Sequence, residues 1–302
     1  MSAMSAALNV DMPAVADGAS LGCDQREWID CRLAEILPCA GDQSSLLVSA
    51  VRVASLGRGK RVRPVLAMMA AKHFGGIELA ALDFGCALEL IHAASLVLDD
   101  LPCMDDAALR RGQPTLHRRF GEDTAVLSAV ALLNHAYGVI MADDGLTAET
   151  RLALSRLVSK AVGFEGLTSG QIRDLRDPPA LRDENALTSL NHQKTGVLFV
   201  AAMTGGAMIA GADPAACISA RLFAERLGLA FQLWDDLQDC ISTPEALGKD
   251  VLQDTARVTF VSLWGMERTR TAIGETIEAA LAALGDRTSP LATYAVNLFR
   301  TA

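Results

Sequence analysis

The chain has 302 residues, enough to bury a large core in one big domain or in two. Hydrophobic residues make up 51% of it, aromatic residues only 5%, and alanine is abundant, a mixture that suits closely packed helices. The formal net charge of −9 argues against a nucleic-acid-binding surface, so an anionic ligand would need cations placed locally around it.

The N-terminal residues 1–22 are rich in Ala, Ser, Met and Asp and lack the basic start and long apolar core of a secretory signal. We predict a disordered tail over 1–22 and one all-α domain over 23–302. The seven cysteines are scattered, without a CxxC pair or a histidine at metal-ligand spacing. We predict that they are reduced thiols in a cytoplasmic protein.

Helical periodicity runs through almost the whole chain, and no stretch alternates as a β-strand would over more than a few residues. The predicted fold class is therefore all-α, a single large helical bundle. In chain order, helices are predicted over about 24–38, 44–56, 63–74, 78–101, 122–142, 147–163, 183–211, 214–240, 256–284 and 289–300. The most polar connection, 174–185, is too short to separate independent domains.

Two apolar runs, 125–142 and 197–212, could be mistaken for membrane spans. The first contains Asn134 and His135, whereas the second has only about 16 residues, short of the ~20 that a span needs. We predict that both are buried bundle helices and that the protein is not an integral membrane protein.

Two clusters of aspartate interrupt this apolar, helix-like sequence. Asp99, Asp100, Asp105 and Asp106 lie in DDLPCMDD, and Asp235, Asp236 and Asp239 lie in DDLQD. Like charges three or four residues apart on a helix repel by roughly a few tenths of a kcal/mol per pair, and desolvating unpaired carboxylates costs more. A cation must compensate them, and clusters made only of carboxylates favour hard divalent ions such as Mg²⁺.

Helix geometry suggests how these carboxylates are arranged. Asp235 and Asp239 lie one turn apart on one helix face, so they can chelate together. In the first cluster, Pro102 interrupts the helix, so Asp99 ends a helix while Asp105 returns in a tight local bulge. Both sets of oxygens are expected to emerge from core helices into a shared central cavity.

Basic residues occur where the acidic ones would need them. The segment GKRVRP at 59–64 places three cations at a predicted helix start, and Arg110 and Arg111 follow the first cluster directly. Arg offers planar donors for phosphate oxygens, Lys offers a compact charge, and a helix N-terminus adds partial positive charge. The same pattern continues in Lys194, Thr195, Gln232 and Lys249. The combination predicts a diphosphate held by metal ions and cations together.

These motifs resemble those of the trans-isoprenyl diphosphate synthases, and among them the bacterial geranylgeranyl diphosphate synthases. The resemblance runs from about residue 25 to the C-terminus. It rests on GKRVRP at 59–64, ELIHAASLVLDDLPCMDDAALRRGQPT at 89–115, GQIRDL at 170–175, HQKTG at 192–196, and FQLWDDLQD with GKD within 231–250. One aspartate-rich pentapeptide alone is a weak signal, but all five segments in this order are highly specific.

The resemblance implies a bundle of the isoprenoid synthase type and a chain-elongating prenyltransferase. An allylic diphosphate ionises, the double bond of isopentenyl diphosphate attacks the carbocation, and a proton is then lost. Preplaced Mg²⁺, Arg and Lys would stabilise the charge that develops on the leaving diphosphate. No protein nucleophile is needed, and the departing diphosphate is the family's usual candidate for the base. The family also implies a homodimer.

Transferred residue by residue, the resemblance assigns individual roles. The magnesium ligands would be Asp99, Asp100, Asp105, Asp235 and Asp239, with Asp236, Lys194, Thr195 and Gln232 also in the catalytic group. The allylic diphosphate would be held by Arg110, Lys194, Thr195, Gln232 and Lys249. Isopentenyl diphosphate would be held by Lys60, Arg63, His92 and Arg111. Where relatives carry a second lysine beyond GKD, this chain offers Arg257, which keeps the charge with a different geometry.

Product length is predicted to depend on the wall beneath the first cluster. Ala94 and Ser95 precede Asp99 by five and four residues and are both small, where a resembling short-chain synthase would typically place an aromatic ring. A helical turn advances about 5.4 Å, close to the reach of one isoprene unit, so clearing one turn would admit roughly one further unit. The resemblance and this count point to C20. Ile91 and Leu88 are candidate floor residues, although a neighbouring helix could equally supply the stop.

Several alternatives stay open at this point. A farnesyl diphosphate synthase would use the same mechanism and stop at C15. A class I terpene cyclase usually shows an Asn/Ser/Glu metal motif where this chain has DDLQD, and it has no need for GKRVRP. A non-catalytic partner subunit of a prenyl synthase would be expected to have lost an aspartate or a clamp residue, whereas every main position is filled here. A purely structural bundle would leave both acidic clusters uncompensated.

Overall fold

The computed structural model describes residues 23–39, 45–57, 59–177, 183–241 and 258–300. Its helices are α1 (Cys23–Ile36), α2 (Ser45–Leu56), α3 (Val62–His73), α4 (Leu82–Asp99), α5 (Leu116–Phe120), α6 (Glu122–Ala142), α7 (Ala148–Val162), α8 (Leu167–Arg176), α9 (Glu184–Asn191), α10 (Val197–Ile209), α11 (Pro214–Ile241), α12 (Phe260–Trp264), α13 (Met266–Leu284) and α14 (Pro290–Asn297). A 3-10 turn spans Glu78–Ala81, and a π-helical turn spans His192–Gly196. Two short strands, β1 (Leu109–Arg110) and β2 (Gln113–Pro114), form an antiparallel hairpin.

The predicted all-α class is confirmed. Helices α3, α4, α10 and α11 form the centre of the bundle, with α10 packed between α3 and α11, and α3 against α4. Helix α6 covers the other side of α4, and α13 lies along α11. Because α4 and α10 are apolar around most of their circumference, they suit a position inside the bundle. Among the predicted site residues that the structure describes, Arg63, Asp99 and Asp239 lie in the terminal turns of these helices, and Lys194 lies just before α10.

The structure corrects three predicted helices. The segment 78–101 begins as the 3-10 turn, and α4 ends at Asp99, since a residue just before Pro102 is disfavoured in a helix. The segment 183–211 is interrupted by the π-helical turn, and the helix predicted from 256 begins at Phe260 and breaks at Gly265.

Three elements were not predicted, the hairpin, the short α5 and α8. Helix α8 has few apolar residues because it packs on the π-helical turn more than on the main core, so its sequence lacks a regular apolar stripe. The hairpin strands have only two residues each, too few for an alternating pattern.

In the part of the chain that the structure describes, two segments are long and apolar enough to cross a membrane, Glu78–Asp99 and α6. The first is 67% buried over its most apolar window, as expected for a core helix. Only 39% of the corresponding window of α6 is buried, so the prediction of a buried bundle helix holds for one face of α6 only. The other apolar run became α10, which is largely buried as predicted.

The described cysteine side chains are all free thiols, in agreement with the predicted reduced state. They are Cys31, Cys39, Cys86, Cys103, Cys217 and Cys240. The predicted tail over 1–22 lies outside the described residues.

Candidate active site

The first aspartate cluster lies in a loop that folds back on the end of α4. The backbone N–H of Asp105 donates to the carbonyl of Asp99 at 2.9 Å, and that of Asp106 donates to the carbonyl of Leu101 at 3.1 Å. Asp106 has a φ of 46°, in the left-handed region. The loop therefore returns Asp105 to the side of Asp99, in agreement with the bulge expected at Pro102.

The hairpin that follows presents two arginines. Its turn residues Arg111 and Gly112 both have positive φ, 54° and 75°, which matches the twist that two-residue hairpin loops require. Arg110, just before the turn, donates from Nε to both carboxylate oxygens of Asp100 at 3.1 and 3.3 Å, and its Nη2 also contacts Oδ1. Asp100 is only 4% exposed, so Arg110 neutralises a buried carboxylate. The Asp100 carboxylate is therefore directed at a donor of the protein, whereas Asp99 and Asp105 are partly exposed.

Electrostatics link the first cluster to the π-helical turn. Burial raises the pKa of Asp99 to about 6, the positive charge of Lys194 opposes this shift, and Asp105 adds to it. Lys194 therefore lies near enough to stabilise the ionised form of Asp99. Because two neighbouring carboxylates destabilise each other's charge, a further cation here would be bound favourably.

Lys194 also has a partner that the sequence analysis missed. Its Nζ donates to Oδ2 of Asp174 at 2.6 Å, and the Asp174 side chain is 8% exposed. The two elements can approach because Gly170 carries no side chain: a Cβ at that position would lie 2.6 Å from the backbone nitrogen of Lys194. The segment GQIRDL is one of the motifs that carry the family resemblance, but the sequence analysis assigns no role to Asp174 within it.

In the second aspartate cluster, as in the first, one carboxylate is buried and hydrogen-bonded within the protein while others are partly exposed. Asp236 is 7% exposed and accepts from Gln232 Nε2 at 2.8 Å and from the N–H of Phe260 at 2.9 Å. Burial raises the pKa of Asp236 to about 6 against these two hydrogen bonds. Asp236 thus anchors the start of α12 to α11, whereas Asp235 and Asp239 lie on the partly exposed side of α11.

Gln232 connects this cluster to the π-helical turn. The hydroxyl of Thr195 donates to Gln232 Oε1 at 3.2 Å, while the amide nitrogen of Gln232 is held by Asp236. The predicted ligands Thr195 and Gln232 are therefore brought together by the structure. Lys249 and Arg257 lie outside the described residues.

A second group of cations surrounds His92, on the same face of α4 two turns before Asp99. Burial lowers the pKa of His92 well below its usual value, and the charges of Arg63, Arg111, Arg110 and Arg61 push it further in the same direction. The imidazole is therefore neutral at physiological pH and lies among arginines. Such a concentration of positive charge is suited to a diphosphate.

The loop before α3 and the hairpin turn meet beside this histidine. A Cβ added to Gly59 would lie 2.9 Å from Nη1 of Arg111, so the absence of a side chain leaves room for that guanidinium. Lys60 is exposed in the same loop. All four predicted isopentenyl diphosphate ligands thus belong to adjoining segments.

Arg63 carries an unpartnered donor. Its Nε is buried without a hydrogen-bond partner among the described residues, and its guanidinium carbon lies 5.4 Å from the centre of the Phe199 ring. Burial lowers the pKa of Arg63, while the charges of Glu89 and Asp235 oppose that shift. Because the charge of Asp235 acts on Arg63, the cationic group lies near the second aspartate cluster. A buried unpaired donor fits a site built for an anion.

The donor chemistry also fits Mg²⁺, since Asp99, Asp105, Asp235 and Asp239 offer partly exposed carboxylate oxygens. Within the described ranges, no group of three or more His, Cys, Asp or Glu side chains could hold a metal ion alone. Magnesium usually takes only one or two carboxylates and completes its coordination with water and substrate phosphates. The assignment of individual aspartates as ligands stays a prediction.

The predicted chain-length residues differ in exposure. Ser95 is partly exposed on the same face of α4 as Asp99, and its hydroxyl donates to the carbonyl of His92 at 2.9 Å. Ala94, Ile91 and Leu88 are fully buried at 0%. Of these four positions, Ser95 lies nearest to Asp99 on its helix face, and Leu88 lies two turns deeper on the same side.

Comparison with known proteins agrees with this geometry. Residues 45–292 match the family model described as polyprenyl synthetase. The geranylgeranyl diphosphate synthase of Pseudescherichia vulneris is 42% identical over 257 residues, covering 84% of this chain and 82% of the relative. That of Pantoea ananas is 43% identical over 239 residues, covering 78% of each chain.

Solved structures are similar over nearly the whole length. A geranyltransferase from Helicobacter pylori, complexed with magnesium and isoprenyl diphosphate, has a TM-score of 0.80 at 28% identity and covers 95% of this chain and 98% of that one. An FPP/GFPP synthase from Zymomonas mobilis, in an apo structure, has a TM-score of 0.80 at 34% identity, with coverage of 93% and 97%.

Proposed function

The chain belongs to the polyprenyl synthetase family, and from this premise we propose that it condenses isopentenyl diphosphate with allylic diphosphates, with geranylgeranyl diphosphate as product. The observation that carries the proposal is the pairing of two unlike anion environments. One combines partly exposed carboxylates with Lys194, and the other surrounds the neutral His92 with arginines. A condensation of two diphosphates, only one of which ionises, needs two such sites.

The first environment suits the allylic diphosphate, which must lose its diphosphate group. Asp99, Asp105, Asp235 and Asp239 would hold Mg²⁺, which when bound supplies positive charge to the leaving diphosphate. Lys194 is held in place by Asp174 and would add a fixed charge beside the same phosphate oxygens. Preplaced charges of this kind cost little reorganisation during the reaction.

The second environment suits isopentenyl diphosphate, which keeps its diphosphate throughout. Lys60, Arg63 and Arg111 would neutralise it, with the buried Nε of Arg63 as one donor. A neutral His92 can donate a hydrogen bond without adding to the crowded positive charge. Since no magnesium ligands are predicted here, this diphosphate would not be activated as a leaving group.

We infer C20 as the product length from the small residues before Asp99 and from the names of the similar synthases. Ser95, on the face of α4 that leads away from Asp99, is too small to block a growing chain within the first turns. Farnesyl diphosphate, C15, is the alternative product. It would require a larger side chain from a neighbouring helix to close the same path.

The test is to incubate purified protein with Mg²⁺, isopentenyl diphosphate and each of three starters, dimethylallyl, geranyl and farnesyl diphosphate, and to size the products. Extension of all three starters to C20 is expected. Products that stop at C15 would keep the mechanism and reject the chain length. Failure to extend any starter would favour the alternative of a non-catalytic partner subunit.

We further propose a homodimer that forms through the open face of α6. Between Asp123 and Asp143 this helix has no Asp, Glu, Lys or Arg, and Leu127, Val130 and Met141 are about 60% exposed. Three large apolar side chains on one uncharged helix face suit a twofold contact with the same helix of a second copy. Since α6 packs on α4, such a contact would support the helix that ends at Asp99.

Light scattering after gel filtration tests this proposal. The double variant Leu127→Glu with Val130→Glu should elute as a monomer, because charge would be buried in the contact. Ile77→Glu is the matched control, since Ile77 is 74% exposed and precedes the 3-10 turn instead of belonging to α6. A dimeric double variant would reject this surface, and a wild-type protein that requires detergent would favour membrane attachment instead.

A cytoplasmic location is proposed on the same grounds as the reduced thiols.

A further inference from the structure

Arg61 lies between two predicted substrate ligands, Lys60 and Arg63, yet it does not share their environment. It is only 4% exposed, and it precedes α3 with a φ of 50°, in the left-handed region. A residue with a side chain rarely adopts this conformation unless surrounding contacts hold it there. The conformation matters because it decides the directions in which the flanking side chains point.

The contacts of the Arg61 guanidinium identify what holds it. Nε donates to Oδ1 of Asp30 on α1 at 2.8 Å, Nη1 donates to Oε1 of Glu89 on α4 at 2.8 Å, and Nη2 donates to the carbonyl of Gly57 at 3.0 Å. The guanidinium thus joins two helices and the end of a third to the loop that contains Lys60. All three acceptors belong to the protein. The Arg61 guanidinium therefore holds these elements together and is not directed at a substrate diphosphate.

Glu89 gives the network a second role. It is 3% exposed and lies three residues before His92, on the side of α4 that faces the cationic group. Its negative charge acts on Arg61 directly and on Arg63 and Arg111 through space. Several arginines would otherwise repel one another in a partly buried site, so a fixed internal carboxylate allows them to stay close together.

We propose that Arg61 is a positioning residue for isopentenyl diphosphate: its ties to Asp30, Glu89 and Gly57 fix the left-handed backbone at residue 61 and so aim Lys60 and Arg63 at one diphosphate. This inference rests on the proposed function. It predicts that damage to the network weakens the binding of isopentenyl diphosphate and leaves the binding of the allylic diphosphate nearly unchanged, since Lys194 is held separately by Asp174.

A role of Arg61 in fold stability alone must be distinguished from its positioning role. A second ion pair provides a matched control. Arg32 on α1 donates to both oxygens of Asp83 on α4 at 2.6 and 2.8 Å, so it joins the same two helices away from the cationic group. If the ion pair of Arg61 served only to attach α1 to α4, then Arg32→Gln and Arg61→Gln would have the same effects. The positioning role predicts different effects on substrate binding.

The experiment compares the wild type, Arg61→Gln and Arg32→Gln for the KM of each substrate, the thermal midpoint, and isopentenyl diphosphate binding by calorimetry without Mg²⁺. Arg61→Gln should raise the KM and Kd for isopentenyl diphosphate by about tenfold or more, with the KM for farnesyl diphosphate changed less than about twofold. Arg32→Gln should lower the thermal midpoint and change neither KM. Equal changes in both KM values for Arg61→Gln, or none, would overturn the proposal.

Two further variants keep the test informative if Arg61→Gln folds poorly. Asp30 is the more exposed partner, at 58% for its side chain, so Asp30→Asn should fold and raise the KM for isopentenyl diphosphate by about threefold. Arg61→Gly allows the left-handed backbone without the guanidinium and should behave like Arg61→Gln. If Arg61→Gly binds as the wild type does, the side-chain ties are not needed. A wild type without elongation activity would reject the proposed function instead.

Discussion

Lys194 on the π-helical turn and Asp174 on α8 form an ion pair of 2.6 Å, although the two residues are 20 positions apart in the sequence. The Asp174 side chain is nearly buried, so its charge and orientation are fixed by the fold. Lys194 also acts on the carboxyl of Asp99. It therefore lies between a permanent internal carboxylate and the place where an allylic diphosphate would be bound.

Asp174→Asn should lower kcat/KM for the allylic substrate by about tenfold or more, because Lys194 loses the carboxylate that orients it. The KM for isopentenyl diphosphate should change less than about twofold. Asp177→Asn is the control, since Asp177 pairs with Arg173 at 3.1 Å on the same side of the molecule but is 42% exposed. If the two variants have equal activity, Lys194 does not depend on Asp174.

Arg110→Lys should impair both stability and catalysis, although the charge is kept. A lysine cannot reproduce the two-pronged contact with Asp100, and Asp100 is buried. We expect a loss of about 1–3 kcal/mol in unfolding free energy and a lower kcat with the allylic substrate. Arg118→Lys, on an exposed residue of α5, is the comparison. If Arg110→Lys is as stable and as active as Arg118→Lys, the two-pronged contact of Arg110 with Asp100 is unimportant.

The lowered pKa of His92 predicts a pH dependence of stability. Below about pH 6.5 an unfolded chain takes up a proton at this histidine that the folded chain does not, so the folded state loses stability as the pH falls. His92→Gln removes this effect, so its thermal midpoint relative to the wild type should improve between about pH 8 and pH 5.5. The exposed His192→Gln serves as the control. A midpoint difference that is constant with pH would mean that His92 titrates equally in both states.

The chain-length assignment predicts two different outcomes for two adjacent tyrosines. Ser95→Tyr places a ring on the partly exposed face below Asp99 and should shorten the principal product from C20 to C15 with little loss of stability. Ala94→Tyr should also shorten it, but because Ala94 is fully buried the ring should overpack the core at a cost of about 1–3 kcal/mol. Ser95→Ala should still give C20. If both tyrosine variants give mainly C20, the wall lies elsewhere.

The sequence predicts the helical class, most helix positions and the segments that form the site, because apolar periodicity and charged motifs are local properties. It does not distinguish Asp100 from Asp99 as a magnesium ligand, and it sets Asp236 apart from Asp235 without showing what Asp236 contacts. Each pair is adjacent in the sequence, and only the fold shows that Asp100 faces Arg110 and Asp236 faces Gln232 and Phe260. Gln232 lies one turn before Asp236 on the same helix. The contacts of Asp100 with Arg110 and of Asp236 with Phe260 join separate elements, so no local pattern contains them.

Backbone conformation was the other feature that sequence reasoning missed. The segment 183–211 has uninterrupted helical periodicity, yet the π-helical turn forms where Gly170 of α8 packs against it. Arg61, Asp106 and Arg111 are the non-glycine residues with positive φ in the described part of the chain, and all three lie in loops of the candidate site. Intrinsic preferences disfavour this conformation, so tertiary contacts must impose it.

The most direct test of the central claim is one condensation followed by mass spectrometry. Purified protein receives farnesyl diphosphate and isotopically labelled isopentenyl diphosphate, with saturating Mg²⁺ or with a chelator. We expect a C20 diphosphate that carries one labelled unit when Mg²⁺ is present, and unreacted farnesyl diphosphate when the metal is chelated. Recovery of unextended farnesyl diphosphate at saturating Mg²⁺, or full turnover in the presence of the chelator, would contradict it.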